Sequence, residues 1–249
     1  MWSRKEIKSN AKTVLRKYYW WGILAILIYS GISLVCSIPS SLINSIFHIN
    51  SFPVSRHISF NYFLFSYFNY LRSCIFAFSS ILSTAIAFFV TYPLIVGLYK
   101  FFLNLRNGKT DLSDLFTSFK DGNYLSVVGS LAWRALFTFL WSLLFLVPGI
   151  IKSISYSMTP FILADNPKIG YKRALKLSMA MTEGQKGAIF VLWLSFIGWF
   201  LLGIFVCCGI GDFFLIPYII STFSELYVKL RANAINNGIC TLEELNLNA

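Results

Sequence analysis

The sequence predicts an all-α membrane protein with six transmembrane segments, arranged as three helical hairpins that are each preceded by a cytoplasmic amphipathic helix. Three observations lead to this prediction: the composition, the long apolar runs and the placement of the basic residues. Hydrophobic residues make up 57% of the 249 residues and charged residues only 12%, whereas a soluble domain carries about 25% charged residues. A soluble core cannot bury this much apolar surface, so the excess must face lipid.

Long apolar runs define five of the six segments. About twenty apolar residues in a helix cross the hydrocarbon core of a bilayer. An aromatic cluster at positions 18–21 opens the first run, as is typical of a membrane interface. The runs occupy residues 20–38, 73–99, 124–147, 187–208 and 213–230.

The fourth segment, residues 150–164, is short for a full span and contains Lys152 and Pro160. Cytoplasmic loops carry an excess of Lys and Arg, and this rule favours a crossing here. With six crossings, Arg56, Arg72 and Lys152 are the only basic residues that lie on the outer side. The same topology places both termini in the cytoplasm of a cell-membrane protein. Pro160 predicts a broken or tilted helix, which is either a full span or a re-entrant one. The basic clusters placed inside are residues 4–17, then Lys100, Arg106, Lys109 and Lys120, then Lys168, Lys172, Arg173, Lys176 and Lys186, and finally Lys229 and Arg231.

Turn signals and amphipathic stretches complete the predicted topology. Pro148 and Gly149 predict a tight turn between segments three and four, and residues 209–211 predict one between segments five and six. A longer outer loop is predicted over residues 39–72. Three amphipathic helices are predicted at residues 3–18, 111–120 and 167–181. Their expected start signals are a capping box of Ser3 and Glu6, Asp111 as an N-cap, and Pro167 at the first helical position.

Several stretches resemble an uncharacterised bacterial membrane family, catalogued as domain of unknown function 975 and common in Firmicutes. They are MWSRKEIK at residues 1–8, LFTSFKDGNY at 115–124, VPGIIKSISYSMTPFILADNP at 147–167, and the short motifs at 225–227 and 237–240. The stretch at 147–167 is the most specific. The resemblance implies an integral membrane protein of the Gram-positive cell envelope, and it implies no substrate or reaction. A looser likeness links the membrane part to the membrane domain attached to some glycerophosphodiester phosphodiesterases.

Charged residues inside the predicted spans are the sharpest functional signal, because an ionisable group is costly there. Arg134 lies ten residues into segment three, and Glu225 lies four residues before Lys229 in segment six. One hypothesis pairs Arg134 with Glu225 in a polar interior around a cytoplasm-facing cavity. The alternative is that Arg134 binds backbone or hydroxyl groups, while Glu225 lies near the lipid headgroups.

A second candidate pair lies on the predicted outer side. Lys152 either reaches the headgroups with its long side chain or closes a cavity with Asp212. Prolines and a glycine predict helix breaks, which transporters use to bind substrate but which structural bundles also contain. The predicted breaks are at Pro93, Pro148, Gly149, Pro160 and Pro217.

The sequence contains no catalytic or metal-binding constellation, so we expect no enzymatic activity and no cofactor. His48 and His57 stand in the predicted outer loop without other ligands. The net charge of +11 favours contact with anionic lipid headgroups over nucleic acid. The leading interpretation is a non-enzymatic envelope protein that contacts lipid, a membrane protein partner or a second copy of itself as an accessory, self-protection or assembly factor. The alternative is a small transporter for an amphipathic or lipid-like substrate.

Overall fold

The structure is a computed structural model, and it describes residues 2–49, 59–120, 122–207 and 210–247. For residues 37–49, 59–65, 204–207, 210 and 212 it describes the backbone only. The described residues form α-helices and short 3-10 helices without any β-strand. This confirms the predicted all-α class.

Nine α-helices are described. Two short 3-10 helices, Leu112–Phe116 and Glu243–Leu245, accompany them. The α-helices are α1 (Arg4–Ile49), α2 (Ser59–Arg106), α3 (Thr117–Lys120), α4 (Tyr124–Leu144), α5 (Leu146–Ser155), α6 (Thr159–Asp165), α7 (Tyr171–Thr182), α8 (Lys186–Cys207) and α9 (Ile210–Asn236).

Six helical stretches in the described part of the chain are long and apolar enough to cross a membrane. Length and apolar composition are the two properties that a bilayer demands of a spanning helix. The chain is therefore a multi-pass membrane protein. The stretches are Arg4–Cys36, Ser66–Arg106, Tyr124–Leu144, Leu146–Asp165, Lys186–Gly203 and Phe213–Asn236.

The chain forms two compact units, and the smaller one is Ser30–Thr91. It comprises the later part of α1 and the earlier part of α2. Hydroxyl groups within α2 bond to the preceding turn of the same helix, as Thr84 does to the Ser80 carbonyl at 2.8 Å. Large apolar side chains such as Phe78 and Ile81 are exposed, as lipid-facing residues are.

The larger unit, Met1–Tyr29 with Tyr92–Ala249, contains both hydrophobic clusters of buried residues. In the first, Phe161 of α6 stacks on Tyr227 of α9 with ring centroids 5.3 Å apart. The second surrounds Phe101 and Phe102 of α2, and includes Leu115 of the 3-10 helix. The polar side chains considered as candidate functional residues lie on or next to the helices that form these two clusters.

The break between α5 and α6 is stabilised by α7. The chain leaves helical geometry after Ser155 and resumes at Thr159, with Pro160 in the first turn of α6. The buried Ser178 hydroxyl of α7 donates to the Ser155 carbonyl at 2.7 Å and accepts from the Met158 N–H at 3.2 Å. A polar side chain thus satisfies the backbone groups that the break releases, as an apolar environment requires. The chain thus leaves helical geometry just before Pro160, the residue at which the sequence predicts a break.

The other predicted breaks differ from the structure. Pro93 and Pro217 lie inside the continuous helices α2 and α9. Pro148 and Gly149 lie inside α5, and the chain instead leaves helical geometry at Phe145 (φ −157°, ψ 146°). Proline is tolerated within an apolar helix when neighbouring groups compensate for its missing N–H, and it fits the first turn of α5 because those N–H groups have no helical partner.

The starts of the short helices also differ in part from prediction. Asp111 caps the 3-10 helix by accepting from the Ser113 N–H at 2.9 Å, as predicted. Pro167 does not begin α7, because the Asn166 side chain accepts from the Lys168 N–H at 2.9 Å and closes a turn there. The helix begins only at Tyr171, after Gly170 at φ 77°.

The first helix and the predicted outer loop show two further differences. Ser3 accepts from the Glu6 N–H at 3.1 Å, while the Glu6 carboxylate binds Lys229 at 2.9 Å instead of closing a capping box. Helix α1 departs from helical geometry at Tyr18, the junction predicted between its amphipathic and apolar parts. Residues 39–49 and 59–72 of the predicted outer loop are helical, since α1 continues through Ile49 and α2 begins at Ser59.

Gly97 permits a close approach between helices that a side chain would block. A Cβ atom at this position would lie 2.8 Å from the Leu115 Cα and in hard contact with the Leu115 carbonyl. Only glycine therefore allows α2 to pack directly on the backbone of the 3-10 helix.

We predict that Gly97→Ala lowers the free energy of unfolding by about 1–3 kcal/mol, because the added methyl group overpacks this contact. Thermal unfolding in detergent measures the effect. Gly129→Ala is the matched control, since nothing lies within 4 Å of its Cβ position. If Gly97→Ala unfolds at the same temperature as Gly129→Ala, the described approach of α2 to Leu115 is wrong.

Candidate functional site

A buried carboxylate on α9 forms an ion pair with the end of α2. The Arg106 Nε lies 2.7 Å from the Glu225 Oε1. The Glu225 side chain is 4% exposed and the Arg106 side chain is 35% exposed. The pair therefore joins a buried anion to a cation that still reaches solvent, which reduces the desolvation cost of the arginine.

This geometry corrects the predicted pairing of Arg134 with Glu225. Helix α2 continues beyond residue 99, where its span was predicted to end, as far as Arg106. The two additional turns of α2 place Arg106, which was predicted to lie in a cytoplasmic loop, next to Glu225. Whether Arg134 and Glu225 belong to a functional site stays a prediction.

Arg134 instead lines a separate small cavity of about 290 Å³ between α2, α4 and α5. Its guanidinium group makes no hydrogen bond or ion pair with any residue that the structure describes, although the Thr138 hydroxyl donates to its backbone carbonyl at 2.8 Å. Arginine carries five N–H donors and is always charged. The guanidinium group of Arg134 therefore lies in this cavity without a counter-ion among the described residues. The lining residues are Tyr92, Ile95, Leu131, Arg134, Ala135, Thr138 and Ser153.

A cluster around Asp165 joins α6 to α9. The Asp165 Oδ2 accepts from the Tyr227 hydroxyl at 2.6 Å and from the Arg231 Nη1 at 2.7 Å. The side chains of Asp165 and Arg231 are 11% and 18% exposed, and Tyr227 is fully buried. Tyr227 and Arg231 stand four residues apart on α9, so both face the same carboxylate.

The C-terminal segment attaches to the same region through a second ion pair. Arg173 of α7 binds both carboxylate oxygens of Glu244, at 2.5 and 2.9 Å, and also donates to the Ile239 carbonyl. These side-chain hydrogen bonds from Arg173 lower the pKa of the Glu244 carboxyl from its ordinary value. The Asn166 amide donates to the Glu244 carbonyl at 2.9 Å. Residues 239–246 are therefore held against α6 and α7.

A larger cavity, about 610 Å³, lies where α2, α6 and the C-terminal segment meet. Lys100 and Lys168 line it, and neither ammonium group has an ion pair within the described parts of the chain. Asp165 also contributes to the wall, but Arg231 neutralises its charge. The cavity is consequently basic. Its lining is Lys100, Leu103, Asn104, Asn123, Ala164, Asp165, Pro167, Lys168, Leu245, Asn246 and Leu247.

The remaining candidates from the sequence are only partly described. The Lys152 ammonium lies 5.0 Å from the centroid of the Trp141 ring, a cation–π geometry. The Asp212 side chain and the two histidines, His48 and His57, lie outside the described side chains, so the pair of Lys152 with Asp212 stays a prediction. Over the described residues, no three His, Cys, Asp or Glu side chains come together as a metal-binding group.

Sequence reasoning missed Arg106, Asp165 and Lys100 as site residues. Asp165 directly follows an apolar stretch. Its partners Tyr227 and Arg231 stand four residues apart on α9, but the sequence alone does not show that they contact Asp165. Lys100 and Arg106 were assigned to a cytoplasmic loop, although Lys100 directly follows the predicted end of a span. A charge within one or two turns of a span end is the signal that would have marked all three.

Six apolar helices with polar contacts between them define a multi-pass helical membrane protein. The sequence model of a family described as "Protein of unknown function (DUF975)" matches residues 143–234. The match confirms the resemblance over the part of the chain that includes α5 to α8, Asp165 and Glu225. No curated protein and no solved structure matches the chain.

We predict that Arg106→Gln and Glu225→Gln each lower the free energy of unfolding by about 1–3 kcal/mol, because each leaves a partly or fully buried polar group without its partner. The exchange Arg106→Glu with Glu225→Arg should recover most of the stability lost in the singly reversed variants. Thermal unfolding in detergent and expression level measure the effect. The matched comparison is Arg134→Glu with Glu225→Arg. Recovery in this second exchange but not in the first would show that Glu225 pairs with Arg134.

Proposed function

We propose that this chain is a non-enzymatic integral membrane protein of the bacterial cell envelope that acts by binding anionic lipid headgroups. The observation that supports the proposal most is the basic cavity lined by Lys100 and Lys168. The family match names no activity, so the proposal rests on the geometry and charge of this cavity.

The proposed topology places the cavity at the cytoplasmic face. Six spans as three hairpins, with both termini inside, bring Lys100, Lys168 and the C-terminal segment to one side. The packing of Gly149 of α5 against Ser142 of α4, where a Cβ atom would lie 2.8 Å from the Ser142 Cα, supports a tight reversal between the third and fourth spans. The cytoplasmic leaflet contains most of the anionic lipid that a basic surface contacts.

The cavity suits a phosphodiester headgroup in size and chemistry. Its volume of about 610 Å³ lies within the usual range of small-molecule sites. Lys100 and Lys168 supply two cations, and lysine binds phosphate as a point charge. The Asn246 amide, which donates to the Asp165 carbonyl at 3.5 Å, adds a polar wall beside them. Each lysine near an anionic membrane surface contributes about 1 kcal/mol of attraction.

Binding of this kind fits several cellular roles. The headgroup contact would orient an accessory, self-protection or assembly factor in the membrane and would leave its apolar helices for a protein partner or a second copy. Transport of an amphipathic substrate is the second candidate function. The specific observation that favours it is the cavity around Arg134, which lies within a candidate membrane span.

We predict that Lys100→Gln with Lys168→Gln weakens binding to phosphatidylglycerol at least tenfold. The reason is that the variant removes both lysine ammonium groups of the cavity wall, neither of which forms an ion pair among the described residues. Binding is measured as the fraction of lipid retained by native mass spectrometry, from mixed micelles of phosphatidylglycerol and phosphatidylcholine. Lys109→Gln with Lys176→Gln is the matched control, because both residues are exposed and neither lines the cavity.

The expected result is loss of phosphatidylglycerol retention in the cavity variant alone. Equal loss in both variants would mean that net charge, and not this cavity, attracts the lipid. Unchanged retention in both would exclude headgroup binding through Lys100 and Lys168.

A further inference from the structure

Arg134 is a cation within a candidate span that has no counter-ion and no hydrogen-bond acceptor among the described residues. It lies ten residues after the start of α4, so the helical rise places it about 15 Å along the axis. A hydrocarbon core is about 30 Å thick. In the proposed topology, Arg134 therefore lies near the midplane of the bilayer, far from the headgroups of either leaflet.

A cation at this depth needs a partner. An intramembrane arginine without a counter-ion costs several kcal/mol, and such residues are paired or line a functional cavity. Within the described residues, the guanidinium group of Arg134 has neither a carboxylate nor a hydrogen-bond acceptor. The carboxylate that the sequence offered, Glu225, is bound to Arg106. A ligand or water must supply the missing acceptors.

The cavity favours an amphipathic ligand. One part of its wall is apolar, formed by Ile95, Leu131 and Ala135. The other part carries Arg134 together with three hydroxyl-bearing residues, Tyr92, Thr138 and Ser153. The Ser153 hydroxyl makes no hydrogen bond within the described part of the chain and can donate one. At about 290 Å³, the cavity has room for a small oxyanion and the first carbons of a chain, but not for a complete phospholipid.

We propose that Arg134 binds the oxyanion head of an acyl-chain lipid, with the fork of its guanidinium group on the two oxygens and the Ser153 hydroxyl as an additional donor. Bidentate binding of a carboxylate or phosphate is the strongest contact that arginine makes. The acyl chain extends along the apolar wall toward lipid. The inference names the ligand class for the second candidate function and rests on it. It is independent of headgroup binding at Lys100 and Lys168, since the two cavities have no lining residue in common.

The test is titration of the full-length protein, in nanodiscs of phosphatidylcholine, with oleate and with the uncharged oleyl alcohol. The proposal expects oleate to bind at least tenfold more tightly than oleyl alcohol to the wild type. Arg134→Gln should weaken oleate binding at least tenfold, and Arg134→Lys should weaken it less, because lysine keeps the charge but loses the fork. Lys152→Gln is the matched control, since it removes a cation from neighbouring α5 that does not line this cavity.

The outcomes separate the sources of the anion. The titration is repeated in nanodiscs that contain phosphatidylglycerol as well as phosphatidylcholine. If the added phosphatidylglycerol competes with oleate in the wild type but not in Arg134→Gln, the phosphate of a resident phospholipid supplies the oxyanion. If it does not compete, a free fatty acid is the ligand. Equal binding of oleate and oleyl alcohol to the wild type overturns the proposal without requiring that any variant fold. Equal effects of Arg134→Gln and Lys152→Gln overturn it as well.

A flux measurement distinguishes the inference from the transport function on which it rests. Oleate movement across proteoliposomes is compared between wild type and Arg134→Gln. Arg134-dependent binding without Arg134-dependent movement supports the site and excludes transport. Absence of Arg134-dependent binding overturns the site, whatever the flux.

Discussion

The Asp165 carboxylate is the constraint on which the rest of the larger unit depends. It ends α6 at a position where Tyr227 and Arg231, one turn apart on α9, both donate to the same oxygen. The Asn246 amide approaches the Asp165 carbonyl from the C-terminal segment. Three parts of the chain that are remote in sequence thereby meet at one residue. The basic cavity lies beside this junction, where the packed segments leave a space that is lined by Lys100 and Lys168.

Polar groups in this protein act where the apolar helices are interrupted. Ser178 satisfies the backbone of the break between α5 and α6, and Glu225 neutralises Arg106 at the end of α2. Each of these groups has its partner inside the larger unit. Among the described residues of that unit, Arg134, Lys100 and Lys168 have no ion pair. Polar residues with internal partners hold the helices together, whereas those without an ion pair are available to bind a ligand. The proposed headgroup binding at Lys100 and Lys168 and the proposed oxyanion binding at Arg134 both depend on this difference.

The sequence predicted what composition and local pattern determine. Apolar runs identified five of the six candidate spans, the placement of basic residues indicated the fourth, and Asp111 was recognised as a cap. The partner of Glu225 could not be predicted, because it depends on how far α2 extends and on which side of α9 it packs. Pro93 and Pro217 were expected to break helices, yet tertiary packing tolerates both. Local signals determine where helices are stable, whereas contacts between distant residues determine the polar sites.

A double-mutant cycle between Asp165 and Arg231 tests most directly whether the Asp165 cluster holds the larger unit together. The free energy of unfolding is measured in detergent for the wild type, Asp165→Asn, Arg231→Gln and the double variant. Because both side chains are largely buried, each single change should cost about 3–5 kcal/mol. The double variant should lose about 1–3 kcal/mol less than the sum of the two. Strictly additive losses, or single losses below about 0.5 kcal/mol as at an ordinary surface position, would contradict the account.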